Sequence, residues 1–173
     1  MPQLVTRVSG GMLYIESKNV PFGQRVNPTK TVQIDLTVKD LNHISFPSAG
    51  TVTIEGLKTN SIDVVTSGAG KMTLNNLNLQ NLTVDLSGAG SIEVMGTTNS
   101  LDLNISGVGS FNGKNLNAAS ASADISGVGS ATLWVTQELT ANISGVGSVN
   151  YYGSPQVNQK VSGLGKVNKQ GDK

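Results

Sequence analysis

The sequence predicts an all-β protein, a single-stranded parallel β-helix (solenoid) with coils of 18–20 residues. Three observations carry that prediction. The unit Ser-Gly-x-Gly recurs at Ser67, Ser87, Ser106, Ser126, Ser144 and Ser162, at start-to-start intervals of 20, 19, 20, 18 and 18 residues. A fixed period near 20 is the signature of a solenoid. Apolar and polar residues alternate on both sides of every unit, which is the period of a strand. No stretch shows helical periodicity bounded by caps.

Taken in order, residues 1–46 read as N-terminal strands that cap the stack. "RVSGGMLYIES" holds a Gly-Gly turn between apolar stretches, and "TVQIDLTV" alternates through Val32, Ile34, Leu36 and Val38. A cap is expected because the end coil of a solenoid exposes an edge and a core cross-section. Residues 47–168 are the coils, beginning with a worn corner at Pro47-Ser48-Ala49-Gly50. Before the corner Ser the apolar residues fall one, three and five positions back, as in Leu82, Val84, Leu86 or Leu101, Leu103, Ile105, with Thr66 and Gln159 the polar exceptions. After it, Met72, Ile92, Phe111, Ala131, Val149 and Val167 form one inner column, and Leu74, Val94, Gly113, Leu133 and Tyr151 the next. Each coil thus has two clear strands joined at the corner, and a less regular segment such as "MGTTNS" closes it. The polar tail, residues 169–173, is expected to fray. The whole reads as one domain, with right-handed coiling as the default for parallel crossovers.

The corner needs small residues because stacked coils lie about 4.8 Å apart. The glycines Gly68, Gly70, Gly88, Gly90, Gly107, Gly109, Gly127, Gly129, Gly145, Gly147, Gly163 and Gly165 are expected to supply unusual backbone angles and close approach. The variable residue is apolar each time (Ala69, Ala89, Val108, Val128, Val146, Leu164) and is expected to plug the core at the bend. The Ser hydroxyls are expected to bond the backbone or one another up the stack.

Composition narrows the function. Twelve basic residues against 11 acidic ones make no electrostatic case for nucleic acid. The absence of Cys excludes disulfides and thiolate metal sites. No apolar run reaches the length of a transmembrane helix. "MPQLVTRVSGG" has neither the basic nor the apolar region of a signal peptide, so the chain is expected to be cytoplasmic or a trimmed, mature form.

The segments "DLSGAGSIEV", "NISGVGSFNG" and "NISGVGSVNYYG" resemble the GIN-domain family, described as auto-transporter adhesin heads. The resemblance spans roughly residues 30–168. It implies a β-helix-like fold and an extracellular, cell-surface or periplasmic bacterial protein. It brings no catalytic residues. One departure is plain: where the family often has Asp after the second Gly, this chain has Lys71, Ser91, Ser110, Ser130, Ser148 and Lys166.

Site chemistry is sparse. Calcium-binding β-rolls place Asp two residues after the Gly, but that column here is apolar, so no metal is expected. No cofactor is expected either: G-x-G leads into strands, with no helix N-terminus to hold a phosphate. His43 reads as a surface residue of the cap. The outward column Asp85, Asn104, Asp124, Asn142 sets two carboxylates two coils apart, roughly 9.6 Å, near the upper end for an inverting glycosidase. The simpler reading is a solvated Asp/Asn ladder, each side chain bonding its vertical neighbour. An ice-binding Thr array is broken at Glu93. Trp134 and Tyr152 share one outward column in successive coils, with Lys114 in that column one coil earlier. Unless a loop or the cap covers them, they are the candidate contact for a glycan or protein partner. The sequence therefore points to a non-catalytic adhesin-like or structural module. A polymer stacking through coil ends and a carbohydrate-active β-helix enzyme are the alternatives.

Overall fold

The computed structural model of the chain describes residues 4–17 and 33–173. Contacts divide it into two compact units, Met1–Val38 and Lys39–Lys173. In the first, β1 (Leu4–Ser9) and β2 (Met12–Ser17) pair antiparallel. Gly10 and Gly11 turn the chain between them with φ of 60° and 77°, the positive values a type I′ hairpin needs at both positions. The strand expected over "TVQIDLTV" is not formed. Val32 lies outside the described residues, and Ile34, Leu36 and Val38 are exposed without regular structure. Alternation makes a strand only where a partner edge accepts it, and residues 33–38 pair with no described strand.

The second unit is a parallel β-solenoid of about 7 turns, without helix among the described residues. Its strands are β3 (His43–Phe46), β4 (Gly50–Glu55), β5 (Ser61–Thr66), β6 (Ala69–Leu86), β7 (Ala89–Ile105), β8 (Val108–Ile125), β9 (Val128–Ile143), β10 (Val146–Tyr152), β11 (Gln156–Val161) and β12 (Leu164–Gly171). Each pairs in parallel with its counterpart in the next coil, corner on corner: Gly109 faces Gly129, and Gly129 faces Gly147. The first coil begins earlier than the corner at Pro47, because β3 pairs with β5 through His43–Asp63 to Phe46–Thr66.

The strand phase read from the sequence is the one observed. Leu86, Ile105, Ile125 and Ile143 are buried, as are Met72, Ile92, Phe111, Ala131 and Val149. Large and small residues compensate along the stack. Phe111 faces Ala131 in the next coil, and its ring edge occupies the space a side chain at Gly113 would need. The closing segment is more regular than its sequence suggests. In β6 to β9 it runs on as paired strand and sends Leu77, Leu79, Leu116, Ala118 and Val135 into the core. Register shifts between Leu74 and Leu77, Glu93 and Met95, and Gly113 and Asn117 hide it, because each bulge resets the alternation. Thr98, buried in this segment, donates its hydroxyl to the Gln80 and Ser100 carbonyls.

The corner works differently from expectation in three respects. Its glycines, from Gly68 to Gly165, do not have positive φ; their role is close approach alone. A Cβ at Gly88 would stand 2.6 Å from the Ser67 carbonyl carbon, and one at Gly165 would stand 2.6 Å from Ile143 Cγ2. Backbone, not hydroxyl, ties corner to corner. The N–H groups of Ser126 and Gly127 both donate to the Ile105 carbonyl, at 3.0 and 3.1 Å, and those of Ser144 and Gly145 to Ile125. Ser87 alone among the described corner serines reaches the backbone with its hydroxyl. Finally, the variable residue points outward. Val108, Val128, Val146 and Leu164 are 60, 52, 47 and 78% exposed, and Ala69 and Ala89 are exposed with them. The flanking glycines face the coil below, so alternation puts the residue between them on the outside. Leu86, Ile105 and Ile143 fill the bend instead: their side-chain carbons lie against Gly109, Gly129 and Gly165.

The last coil changes character. Gln159 and Lys169 stand in columns that hold Val84 and Val94 in earlier coils, and both are exposed. The tail is held rather than frayed. Strand β12 reaches Gly171, whose carbonyl accepts from Gly153 N–H, and the Asp172 carboxylate binds Lys169 and Ser154, each at 2.8 Å. The Lys169 ammonium, then the Ser154 hydroxyl, keep that carboxyl below its ordinary 3.8.

Candidate functional site

The outer wall carries two groupings with chemistry. The first is the carboxylate column. Asn104 Nδ2 donates to Asp85 Oδ1 at 3.2 Å, and Asn142 Nδ2 donates to Asp124 Oδ1 at 2.8 Å. The Asp/Asn ladder read from the sequence is thus present as two separate pairs, with no side-chain hydrogen bond between Asn104 and Asp124. Asp124 and Asn142 are half-buried rather than fully exposed, because each shields its neighbour. Asp85, Asp102 and Asp124 line an open concavity of about 240 Å³ with Thr83, Val84 and Asn104. The lining brings no cationic, imidazole or hydroxyl group close to the carboxylates apart from Thr83. Among the described residues no cluster of three or more His, Cys, Asp or Glu is placed to hold a metal ion. His43, read as a surface residue of the cap, belongs to the first coil and hydrogen-bonds Asp63 at 2.8 Å, a cross-coil tie of the same kind.

The second grouping is aromatic and cationic. Strands β9 and β10 place Trp134 and Tyr152 directly opposite one another in register. Both are half-buried. The partner of Trp134 in the preceding coil is Asn117, not Lys114, since the shift after Gly113 throws residues 114–116 out of register. Lys114 still reaches the site: its Nζ lies 5.4 Å from the Tyr152 ring centroid. Nothing in the residue pattern points to Lys173. The chain returns through β12 to set its Nζ 4.8 Å from the Trp134 centroid and 5.6 Å from that of Tyr152. That ammonium donates to the Lys114 carbonyl at 2.5 Å and to Asn115 Oδ1 at 3.3 Å. A residue that arrives from 39 positions beyond Trp134 leaves no local signal. The rings are therefore neither a bare platform nor a sealed local core.

The family described as "Putative auto-transporter adhesin, head GIN domain" matches residues 1–155. The chain belongs to the GIN-domain family. A solved structure of a putative adhesin from Bacteroides fragilis superposes on this GIN domain with a TM-score of 0.90 at 31% identity, covering 96% of this chain and 76% of that one. A putative lipid binding protein from Parabacteroides distasonis gives a TM-score of 0.63 at 25% identity, over 96% of this chain and 78% of that one. A putative adhesin from the same organism matches at 0.63 and 21% identity, over 96% and 78%, which shows the shared fold. Comparison with curated proteins finds no match.

Proposed function

We propose that this GIN domain is a non-catalytic, adhesin-like module displayed outside the cell, with Trp134 and Tyr152 as its contact surface. One observation carries the reading. Trp134 and Tyr152 stand in register on adjacent coils, and both are half-exposed. Aromatic faces of this kind suit saccharides and protein partners alike. The family description and the Bacteroides adhesin support the adhesin class and an extracellular setting. Polymerisation through coil ends finds no support at the C-terminal end. Gln159 and Lys169 occupy core columns there, and burying them against a second copy would cost desolvation without partners. The test is a glycan array probed with wild type and with Trp134→Ala, after thermal melts establish that both are folded. Binding by wild type and its loss in the variant is expected. Equal binding by both, or none by either, removes the surface.

A second reading has its own observation. Val108, Val128, Val146 and Leu164 form an exposed apolar line along the corner, in register through four coils. A structural relative is described as a putative lipid binding protein. The line would take an acyl chain lying along the stack. Co-sedimentation with phosphatidylcholine vesicles should then fall about tenfold or more in Val146→Ser/Leu164→Ser, since an apolar side chain contributes about 1.5–3 kcal/mol when fully buried. No sedimentation of wild type would dispose of it.

A further inference from the structure

We propose that the ligand of the Trp134–Tyr152 surface is an anionic saccharide, a glycan bearing carboxylate or sulfate groups, bound through Lys114 and Lys173. The inference rests on the contact reading above and narrows it to a chemical class.

The argument starts from what lies over the rings. A neutral sugar stacks on a free aromatic face. Here the Lys173 ammonium lies over Trp134, and the ammonium groups of Lys114 and Lys173 both lie within about 6 Å of the Tyr152 centroid, the range of a cation–π contact. Two like charges thus share one ring, and the Lys114 backbone carbonyl and Asn115 hold the second of them in place. Neither has a carboxylate counter-ion among the described residues. The ion pairs there are Arg7–Glu16, His43–Asp63, Lys71–Glu93 and Lys169–Asp172. Asp172, next to Lys173 in sequence, is already engaged by Lys169 and Ser154.

Two exposed ammonium groups near one ring, neither with a counter-ion, attract an anion, which offsets their charge and accepts charge-assisted hydrogen bonds from them. The ring of the attached sugar then packs beside Trp134 and Tyr152, both of which are half-exposed. A glycan joins the two requirements, since only a ligand with both anionic groups and a ring face uses the lysines and the aromatics together.

The experiment measures binding of wild type to three oligosaccharides matched in length, one neutral, one uronate-containing and one sulfated, at low and high salt. Lys114→Gln/Lys173→Gln, Lys114→Arg/Lys173→Arg and Trp134→Ala are run beside it. The acidic glycans should bind at least about tenfold more tightly than the neutral one, and high salt should weaken them. The Gln pair should lose about tenfold or more, the size of one charged hydrogen bond, while the Arg pair keeps binding. A preference between uronate and sulfate identifies the anion. Neutral and acidic glycans bound alike, with the Gln pair unaffected and Trp134→Ala inactive, would overturn the inference and leave the contact surface standing. No binding by wild type to any of the three would bring down both.

Discussion

Gly127→Val and Gly129→Val should each leave the solenoid largely unfolded, with a loss above about 4 kcal/mol, the size reserved for gross steric or burial faults. At Gly127 the new Cβ would stand 2.6 Å from the Ser106 carbonyl carbon, with carbonyl oxygens of Ser106 and Gly107 closer still. At Gly129 it would meet Gly109 O at 2.5 Å and Ile105 Cγ2 at 3.0 Å. Real Cβ atoms do not approach backbone this closely, so the coils must separate. They cannot separate locally, because the N–H groups of Ser126, Gly127 and Val128 all bond the preceding coil across the same gap, at 2.9–3.1 Å. In a solenoid, stability is shared between neighbours, so damage at one corner loosens the coils on both sides. Val128→Ala is the control. Its side chain is 52% exposed, so the change should stay within about 0.5 kcal/mol of wild type. Chemical denaturation of the three variants checks this. Glycine variants that melt within a degree or two of wild type would show that the corner glycines act only through turn propensity.

Phe111→Ala should cost about 3–5 kcal/mol, the usual range for removing a buried aromatic ring. In a chain of this size that lowers the melting temperature by about 6–20 °C. The site has little means of collapse. Phe111 is 1% exposed, it faces Ala131 in the next coil, and its ring fills the gap left by Gly113 in its own coil. Each of these neighbours is already too small to close a cavity. Gly113→Ala is the informative companion. Its Cβ would stand 2.7 Å from Phe111 Cε1, so it should destabilise the wild type but partly restore Phe111→Ala. Strict additivity of the two changes, measured in a double-mutant cycle, would show that they do not share that space.

The sequence by itself determined the coil. The spacing of Ser67, Ser87, Ser106, Ser126, Ser144 and Ser162 set the period, and the alternation around them placed Leu86, Ile105, Ile125 and Ile143 inside. Both signals are local and repeated, so each copy corroborates the others. The Asp85–Asn104 and Asp124–Asn142 ties were legible for the same reason, since a fixed period converts one column of letters into vertical neighbours. Three things needed the tertiary structure. The first was which side of the corner faces out: Val108, Val128, Val146 and Leu164 look like core plugs until the coil beneath is seen to press on both flanking glycines. The second was the closing segment, whose inward Leu77, Leu116 and Val135 are masked by bulges that shift the register, one of them at Asn76 with φ of 56°. The third was the site. Trp134 and Tyr152 could be paired from the period, but Lys173 could not, because its approach to the Trp134 ring depends on where the whole last coil delivers the chain. Period-two patterning fixes which face a residue takes within its own strand. It carries no information about what arrives on that face from another coil.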